Sequence, residues 1–315
     1  MLGRLVARQI KIAFTDFWHP ETEAAIRANP LCQLLQTRFD LVLSDQPDFL
    51  LYSTFGRRHL RYDCTRIFYT GENVRPDFGR CDYAFSFDYP VTEKNYRLPL
   101  YRLYDDYDRV WDKGSRVPDP AQQRFCNFLY SNARARERID FLHRLNRYRT
   151  VDCGGRLMNN IGGRVENKLE FLTNYKFTIA FENSSHPGYT TEKLLEALVA
   201  NTIPIYWGNP LVAKDFNPDG FINCHDYSDF DAVVEQVRAI DQDDDAYRRY
   251  ISAPVFRDGV EPEAVGLENI LDRFDHIFDG PRISGVARPG DRTRYLLGGA
   301  NLRETARRLA KRLRQ

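Results

Sequence analysis

No apolar run in this sequence approaches the roughly 18 residues that a helix needs to cross a bilayer. The mean hydropathy is −0.54, and a membrane-spanning helix is excluded. Residues 1–9 (MLGRLVARQ) hold no apolar core and no cleavage site, so no secretory signal is expected. The six cysteines stand at 32, 64, 81, 126, 153 and 224, no two within four residues of each other. That spacing leaves out a zinc knuckle or a thioredoxin-type pair and predicts reduced, mostly buried thiols. Neither G-x-G-x-x-G nor a P-loop occurs, so a conventional NAD site or a Walker ATPase lacks support. The six histidines (19, 59, 143, 186, 225, 276) form no pair at metal-ligand spacing, and no internal repeat is visible.

What the sequence does have is size, aromatics and an uneven charge. Its 315 residues exceed what one hydrophobic core usually covers, which predicts two compact units. Hydrophobic residues make up 43% and charged residues 28%, an ordinary globular composition that excludes intrinsic disorder. The 21 Phe, 18 Tyr and 3 Trp allow a dense core with some rings left over for a ligand. The net charge of +1 hides an asymmetry: residues 281–315 carry +8 and residues 1–280 carry −7. The acidic body is not a general polyanion binder, and no nucleic-acid partner is expected. In the tail, Leu302, Ala306, Leu309 and Leu313 form an apolar stripe beside Arg303, Arg307, Arg308, Lys311, Arg312 and Arg314. That pattern fits a helix lying on an anionic membrane surface through residues 301–315.

Short β-branched and aromatic runs recur at 10–15, 48–53, 65–70 and 83–87, and again at 125–130, 176–181 and 202–207. Helical patterns fall at about 133–147, 166–174, 190–200 and 263–277. Strand–helix alternation in both halves predicts an α/β fold with largely parallel sheets. Residues 112–121 (DKGSRVPDPA) lack apolar periodicity and read as a linker. The expected division is 1–115, 122–280 and a basic tail 281–315, with a ligand at the carboxyl ends of the strands.

The most informative stretch is 175–210, a strand ending in Phe181-Glu182-Asn183, a polar loop, a helix and a returning strand. Glu192 and Lys193 fall in the first turn of that helix, where unpaired N–H groups make the environment positive. A lysine there has the wrong sign for helix stabilisation and makes sense if an anion such as a diphosphate docks on the same turn. Arg134, Arg136 and Arg138 likewise crowd the start of an earlier helix, with Ser131-Asn132 placed to cap it. Glu72, after Gly71 at the end of a strand in the first half, is a carboxylate suited to accept a proton. Asp105-Asp106-Tyr107-Asp108, which contains D-x-D, and the run at 243–245 read as solvated loops rather than metal sites. His186 is the histidine placed best to approach a substrate.

The ordered words FYTGEN (68–73), FENS (181–184), GYTTEK (188–193) and TIPIYWG (202–208) resemble the α1,3-fucosyltransferases of glycosyltransferase family 10, above all the bacterial members. The similarity runs from about 65 to 278. The resemblance implies a GT-B-like fold, two Rossmann-like domains facing across a cleft, with GDP-fucose held by the C-terminal one. It implies transfer of fucose to a glycan hydroxyl with inversion, commonly to the 3-OH of GlcNAc in an N-acetyllactosamine-type glycan. Glu72 matches the general base. Arg138 and Lys193 match the diphosphate contacts, and Asn183, Tyr189 and Glu192 match further donor-site positions. No divalent metal or other cofactor is expected to be required. The expected setting is peripheral, on the inner face of the cytoplasmic membrane. The same scaffold with another GDP-sugar or linkage, or a sugar-nucleotide binder without turnover, is the alternative. The loop 185–188 (SHPG) departs from the Gly- and Tyr-rich loops of relatives, and the C-terminal Cys-x-x-Cys of animal members is absent.

Overall fold

The computed structural model describes residues 7–115, 117–133 and 135–281. The chain divides into two compact units. Among the described residues, the first takes those up to Ser86, Pro90–Leu98 and those from Leu267; the second takes Phe87–Tyr89 and Pro99–Gly266. Arg134 and the basic stripe at 301–315, both singled out above, lie outside the described residues.

The first unit is built on β1 (Arg8–Thr15), β2 (Phe39–Leu43), β3 (Phe49–Tyr52), β4 (Thr65–Tyr69), β5 (Tyr83–Ser86) and β6 (Asn95–Arg97). They form one all-parallel sheet in the order β2-β1-β3-β4-β5-β6. β3 and β4 are buried at every position, the continuous apolar signature of a parallel sheet covered on both faces. The two short helices that lead from β1 to β2, α1 (Glu23–Arg27) and α2 (Pro30–Gln36), are capped by Thr22 and Asn29, with Pro30 opening α2 where its missing N–H costs nothing. The helix Leu267–Asp279 also packs here: Phe274 stacks on Phe85 with ring centroids 4.1 Å apart, and Phe278 meets Phe39 and Phe49 at 5.1 and 4.7 Å.

The order changes direction between β1 and β3, and there the chain leaves β1 through Asp16, a buried residue at φ 59°. Its carboxylate accepts the amides of Arg58 and His59, each at 2.9 Å, and stands 2.7 Å from His59 Nδ1. Aspartate tolerates this left-handed conformation better than most side chains.

The second unit holds β7 (Arg124–Phe128), β8 (Asp152–Cys153), β9 (Tyr175–Phe181), β10 (Ile203–Trp207) and β11 (Ile222–Asn223), parallel in the order β11-β10-β9-β7-β8. In chain order this is again second, first, third, fourth, fifth. Its helices are α3 (Arg136–Tyr148), α4 (Lys168–Leu172), α5 (Glu192–Val199), α6 (Phe230–Asp241) and α7 (Asp244–Ser252). All six cysteines are free thiols, five of them buried.

The domain boundaries differ from the sequence expectation in three places, the shortest being Phe87–Tyr89, which belong to the second unit. Residues 99–115 belong to the second unit, because Tyr101, Tyr107 and Val110 are buried in its core beside Leu194 and Leu198. Lys113, inside the expected linker, donates to the carbonyls of Tyr250, Ile251 and Ala253. The last helix, expected at 263–277 within the second half, is Leu267–Asp279 and belongs to the first unit. Apolar periodicity identified its buried face but not the sheet that the face covers.

Candidate functional site

In an open parallel sheet the crevice for a ligand opens outside the strand ends where the order reverses. In the second unit that point lies between β7 and β9, and a cavity of about 260 Å³ opens there. Arg138, Asn183, Glu192 and Lys193 all line it.

Arg138 is the third residue of α3, and long helical side chains point back toward the helix start. Phe141, Leu142 and Leu145, all fully buried, fix α3 against the sheet so that Arg138 turns over the strand ends. Its guanidinium donates to Phe181 O at 2.7 Å and to Asn183 Oδ1 at 3.1 Å, and lies 3.7 Å from the centre of the Tyr130 ring. The Arg138 Nε stays buried without a partner among the described residues. Ser131 and Asn132 do not cap α3 as expected; the cap position is Ala135, with no side-chain bond, and the Asn132 carbonyl faces Arg138 Nη1 at 3.5 Å. Arg136 is exposed.

Lys193 is the second residue of α5, held down by the buried Leu194, Leu195 and Leu198. The Thr191 side chain does not cap this helix. Glu182, at the end of β9, takes over: it accepts Thr191 N at 2.7 Å and Thr191 Oγ1 at 2.6 Å. The Lys193 ammonium stands 3.3 Å from Glu182 Oε2, 3.0 Å from Glu192 Oε1 and 2.9 Å from Thr191 Oγ1. Burial works against that ammonium, yet the Glu182 and Glu192 carboxylates outweigh it and raise its pKa above the ordinary lysine range. Burial raises the Glu182 carboxyl, with Lys193 opposing; Glu192, also penalised by burial, ends below its ordinary value because Lys193 sits beside it. Gly208 makes room for this arrangement, since a Cβ there would lie 2.4 Å from Glu182 Cγ.

Tyr189 does not line the cavity; it is 2% exposed and packs its ring edge-on to Phe87 at 5.0 Å. The preceding Gly188 has φ +87°, and a Cβ there would sit 2.4 Å from Phe87 O, so the loop tolerates only glycine at that point. His186 stands edge-on to the same Phe87 ring and 3.7 Å from Asp88 Oδ1. Glu72 lies in the first unit, exposed, just beyond β4. Thr70 Oγ1 holds its backbone, accepting Glu72 N at 3.0 Å and donating to Glu72 O at 2.9 Å. Asp243 caps α7, accepting the amides of Asp245 and Ala246.

Two residues that shape the site were not singled out from the sequence. Tyr130 supplies the face under Arg138, and its hydroxyl donates to Ile179 O at 2.8 Å. Glu182 anchors Lys193. A carboxylate at the end of a largely apolar strand, one loop before a lysine in a helix's first turn, was a readable signal for the second. The resulting arrangement, two fixed cations at two helix starts around one cavity, suits a diphosphate.

Residues 12–104 match the α-(1,3)-fucosyltransferase FucT N-terminal domain, and residues 120–254 match the C-terminal domain of glycosyltransferase family 10 (fucosyltransferase). The α-(1,3)-fucosyltransferase FucT of Helicobacter pylori is 34% identical over 284 residues, covering 76% of this chain and 58% of that protein. The chain thus spans less than two thirds of that relative's length. A crystal structure of an α1,3-fucosyltransferase superposes with a TM-score of 0.80 at 29% identity, covering 89% of this chain and 93% of the other. An α1,3-fucosyltransferase solved with GDP-fucose superposes at 0.77, with the same identity and coverage. Two consecutive domain matches, a fold shared over nearly the whole chain and a cationic crevice at the second switch point agree: the chain belongs to glycosyltransferase family 10, the fucosyltransferases.

Proposed function

We propose that this chain is an α1,3-fucosyltransferase that moves L-fucose from GDP-fucose to a glycan hydroxyl, the 3-OH of GlcNAc in an N-acetyllactosamine-type glycan being the acceptor to try first. The observation that carries the reading is the pairing of Arg138 and Lys193 around one cavity, each at a helix start. Relatives at 29% identity solved with GDP-fucose and with GDP support the same donor.

Breaking the sugar–phosphate bond gives the sugar oxocarbenium character and loads negative charge onto GDP. Arg138, Lys193 and the amides of two helix starts stabilise that charge in place. The acceptor oxygen attacks the anomeric carbon from the opposite face as the bond to phosphate breaks, and its proton passes to the Glu72 carboxylate. A single displacement of this kind inverts the centre and needs one base and no covalent nucleophile. In this reading the cationic side chains carry the charge, without a divalent metal. The basic stripe at 301–315 would hold the enzyme on the inner face of the cytoplasmic membrane, where anionic lipid attracts it.

Thermal unfolding with GDP, GDP-fucose, GDP-mannose and UDP-galactose in parallel tests the donor. A ligand at 100 times its Kd adds about 2.7 kcal/mol, roughly a few degrees for a chain of this size. Shifts with GDP and GDP-fucose and none with UDP-galactose are expected, followed by transfer to N-acetyllactosamine with inverted anomeric configuration. No shift with any guanine nucleotide in a folded sample overturns the reading.

A further inference from the structure

The cavity continues past the phosphate-binding cations. Glu192 and Glu196 stand four residues apart on α5 and so share a face; along the helix axis they are separated by about 6 Å. Besides the residues already named, Asn127, Leu129, Lys168, Leu172 and Glu196 line the cavity, and Lys168 pairs with Glu196. None of these polar groups has a task in the phosphate chemistry.

Each has a defined hydrogen-bonding state. Asn127 is fully buried, and its amide nitrogen is committed to Phe177 O at 3.2 Å and Thr178 Oγ1 at 2.8 Å. That fixes which way the amide points and leaves Oδ1 buried with no partner among the described residues. An unfilled buried acceptor is costly, and it is tolerated where a ligand supplies the donor. Glu196 is 5% exposed; it accepts Lys168 Nζ and the Tyr104 hydroxyl, which leaves carboxylate lone pairs open. Lys168, 41% exposed at its side chain, has ammonium protons to spare. This part of the lining therefore offers two acceptors and one cationic donor, with Leu129 and Leu172 also on the wall.

We propose that this part of the cavity reads the donor's base: Glu196 and Asn127 Oδ1 accept the N1–H and 2-amino protons of guanine, and Lys168 donates to its O6. The proposal rests on the reading of the chain as a GDP-sugar enzyme and names the groups that set that preference. Guanine presents two adjacent donors beside an acceptor. Adenine turns a lone pair at N1 toward the carboxylate, and uracil offers one donor flanked by two acceptors. A site built to pair with donors rejects a base that lacks them, because its own buried groups then go unsatisfied.

The experiment is calorimetric titration of the full chain with GDP, IDP (which lacks the 2-amino group), ADP and inorganic pyrophosphate. The wild type binds GDP about tenfold more tightly than IDP, and ADP more weakly still. In Glu196→Gln the GDP-to-IDP ratio falls to within about threefold of unity, while pyrophosphate affinity stays as in the wild type, which a general loss of structure would not leave untouched. Lys168→Met, on a partly exposed side chain, keeps the GDP-to-IDP ratio because both bases carry O6, but narrows the GDP-to-ADP ratio. Should Glu196→Gln not fold, Lys168→Met decides the matter by itself. Ratios unchanged in these variants, with GDP still bound, overturn the base-reading assignment alone. A wild-type chain that binds no nucleoside diphosphate overturns the donor reading on which it rests.

Discussion

The two sheets share a strand order and differ in the chemistry placed at its turning point. In the first unit the chain between β1 and β3 gathers carboxylates: Asp16 is buried against His59 and two amides, and Glu21 accepts from Thr15 Oγ1 and Arg58. Glu72 follows β4, two strands from β1 in the same sheet. In the second unit the equivalent point carries Arg138 and Lys193, each anchored by a partner at the end of β7 or β9. Topology supplies the crevice in both cases, and the side chains decide what it holds. Cations with fixed geometry suit a departing diphosphate, whereas a carboxylate with no charged partner among the described residues suits a proton.

The sharpest way to break this contrast is to remove one key group from each side. Lys193→Met is expected to lower transfer by about 10²–10³ and to weaken GDP binding, since in the proposed reaction it removes a preorganised contact to the leaving group. Glu72→Gln is expected to lower transfer by a comparable factor of about 10²–10⁴ while GDP affinity stays as in the wild type. Paired measurements of kcat and of GDP affinity separate the two. If Glu72→Gln weakened GDP as much as Lys193→Met does, the division of labour between the units would be wrong.

How much of this was legible depended on whether the information was local. β9 and α5 were readable almost to the residue, because a seven-residue run buried at every position and an apolar stripe at helical spacing are local patterns. β8 and β11 pair through only two residues each, too few to show a period. β2 alternates buried and exposed over its first four residues, yet it directly follows α2 and its polar sequel, and it was not recognised. Arg138 and Lys193 were marked as cations at helix starts, but their anchors were not. Tyr130 and Glu182 act across space, and nothing within either residue's own turn states its partner. The final helix is the same lesson on a larger scale: its apolar face was visible, while the sheet beneath it lies some two hundred residues earlier in the chain.

The anchoring of Lys193 is therefore the part of the comparison most in need of sharpening. Its pKa is raised in the folded chain above that of an ordinary lysine, with the Glu182 and Glu192 carboxylates overcoming burial. An interaction of this sign is fully present below the unfolded pKa and is lost only as pH rises through the still higher folded value. GDP affinity of the wild type is thus expected to show no lysine-dependent loss between pH 7 and 10. Glu182→Gln keeps the shape and an acceptor for Thr191 N but removes the charge. Its GDP affinity should fall roughly tenfold at neutral pH through loosened positioning, and a new alkaline limb should appear below pH 10. A uniform drop with no change in pH profile would mean that Glu182 only fills space.

The smallest effect belongs to the first unit, where the carboxylate at the turning point holds backbone rather than ligand. Asp16 has φ 59° and receives two amides and an imidazole nitrogen. Asp16→Ala removes every one of those acceptors and places alanine in a left-handed conformation, which should cost about 3 kcal/mol by urea unfolding. Asp16→Asn tolerates the same backbone and keeps one carbonyl oxygen for the amides, so the loss should be only about 1 kcal/mol. In both variants the stabilisation by GDP, measured on folded protein, should equal that of the wild type, because the nucleotide is assigned to the second unit. An Asp16→Asn variant that folds but no longer responds to GDP would show that the two turning points are not chemically separate.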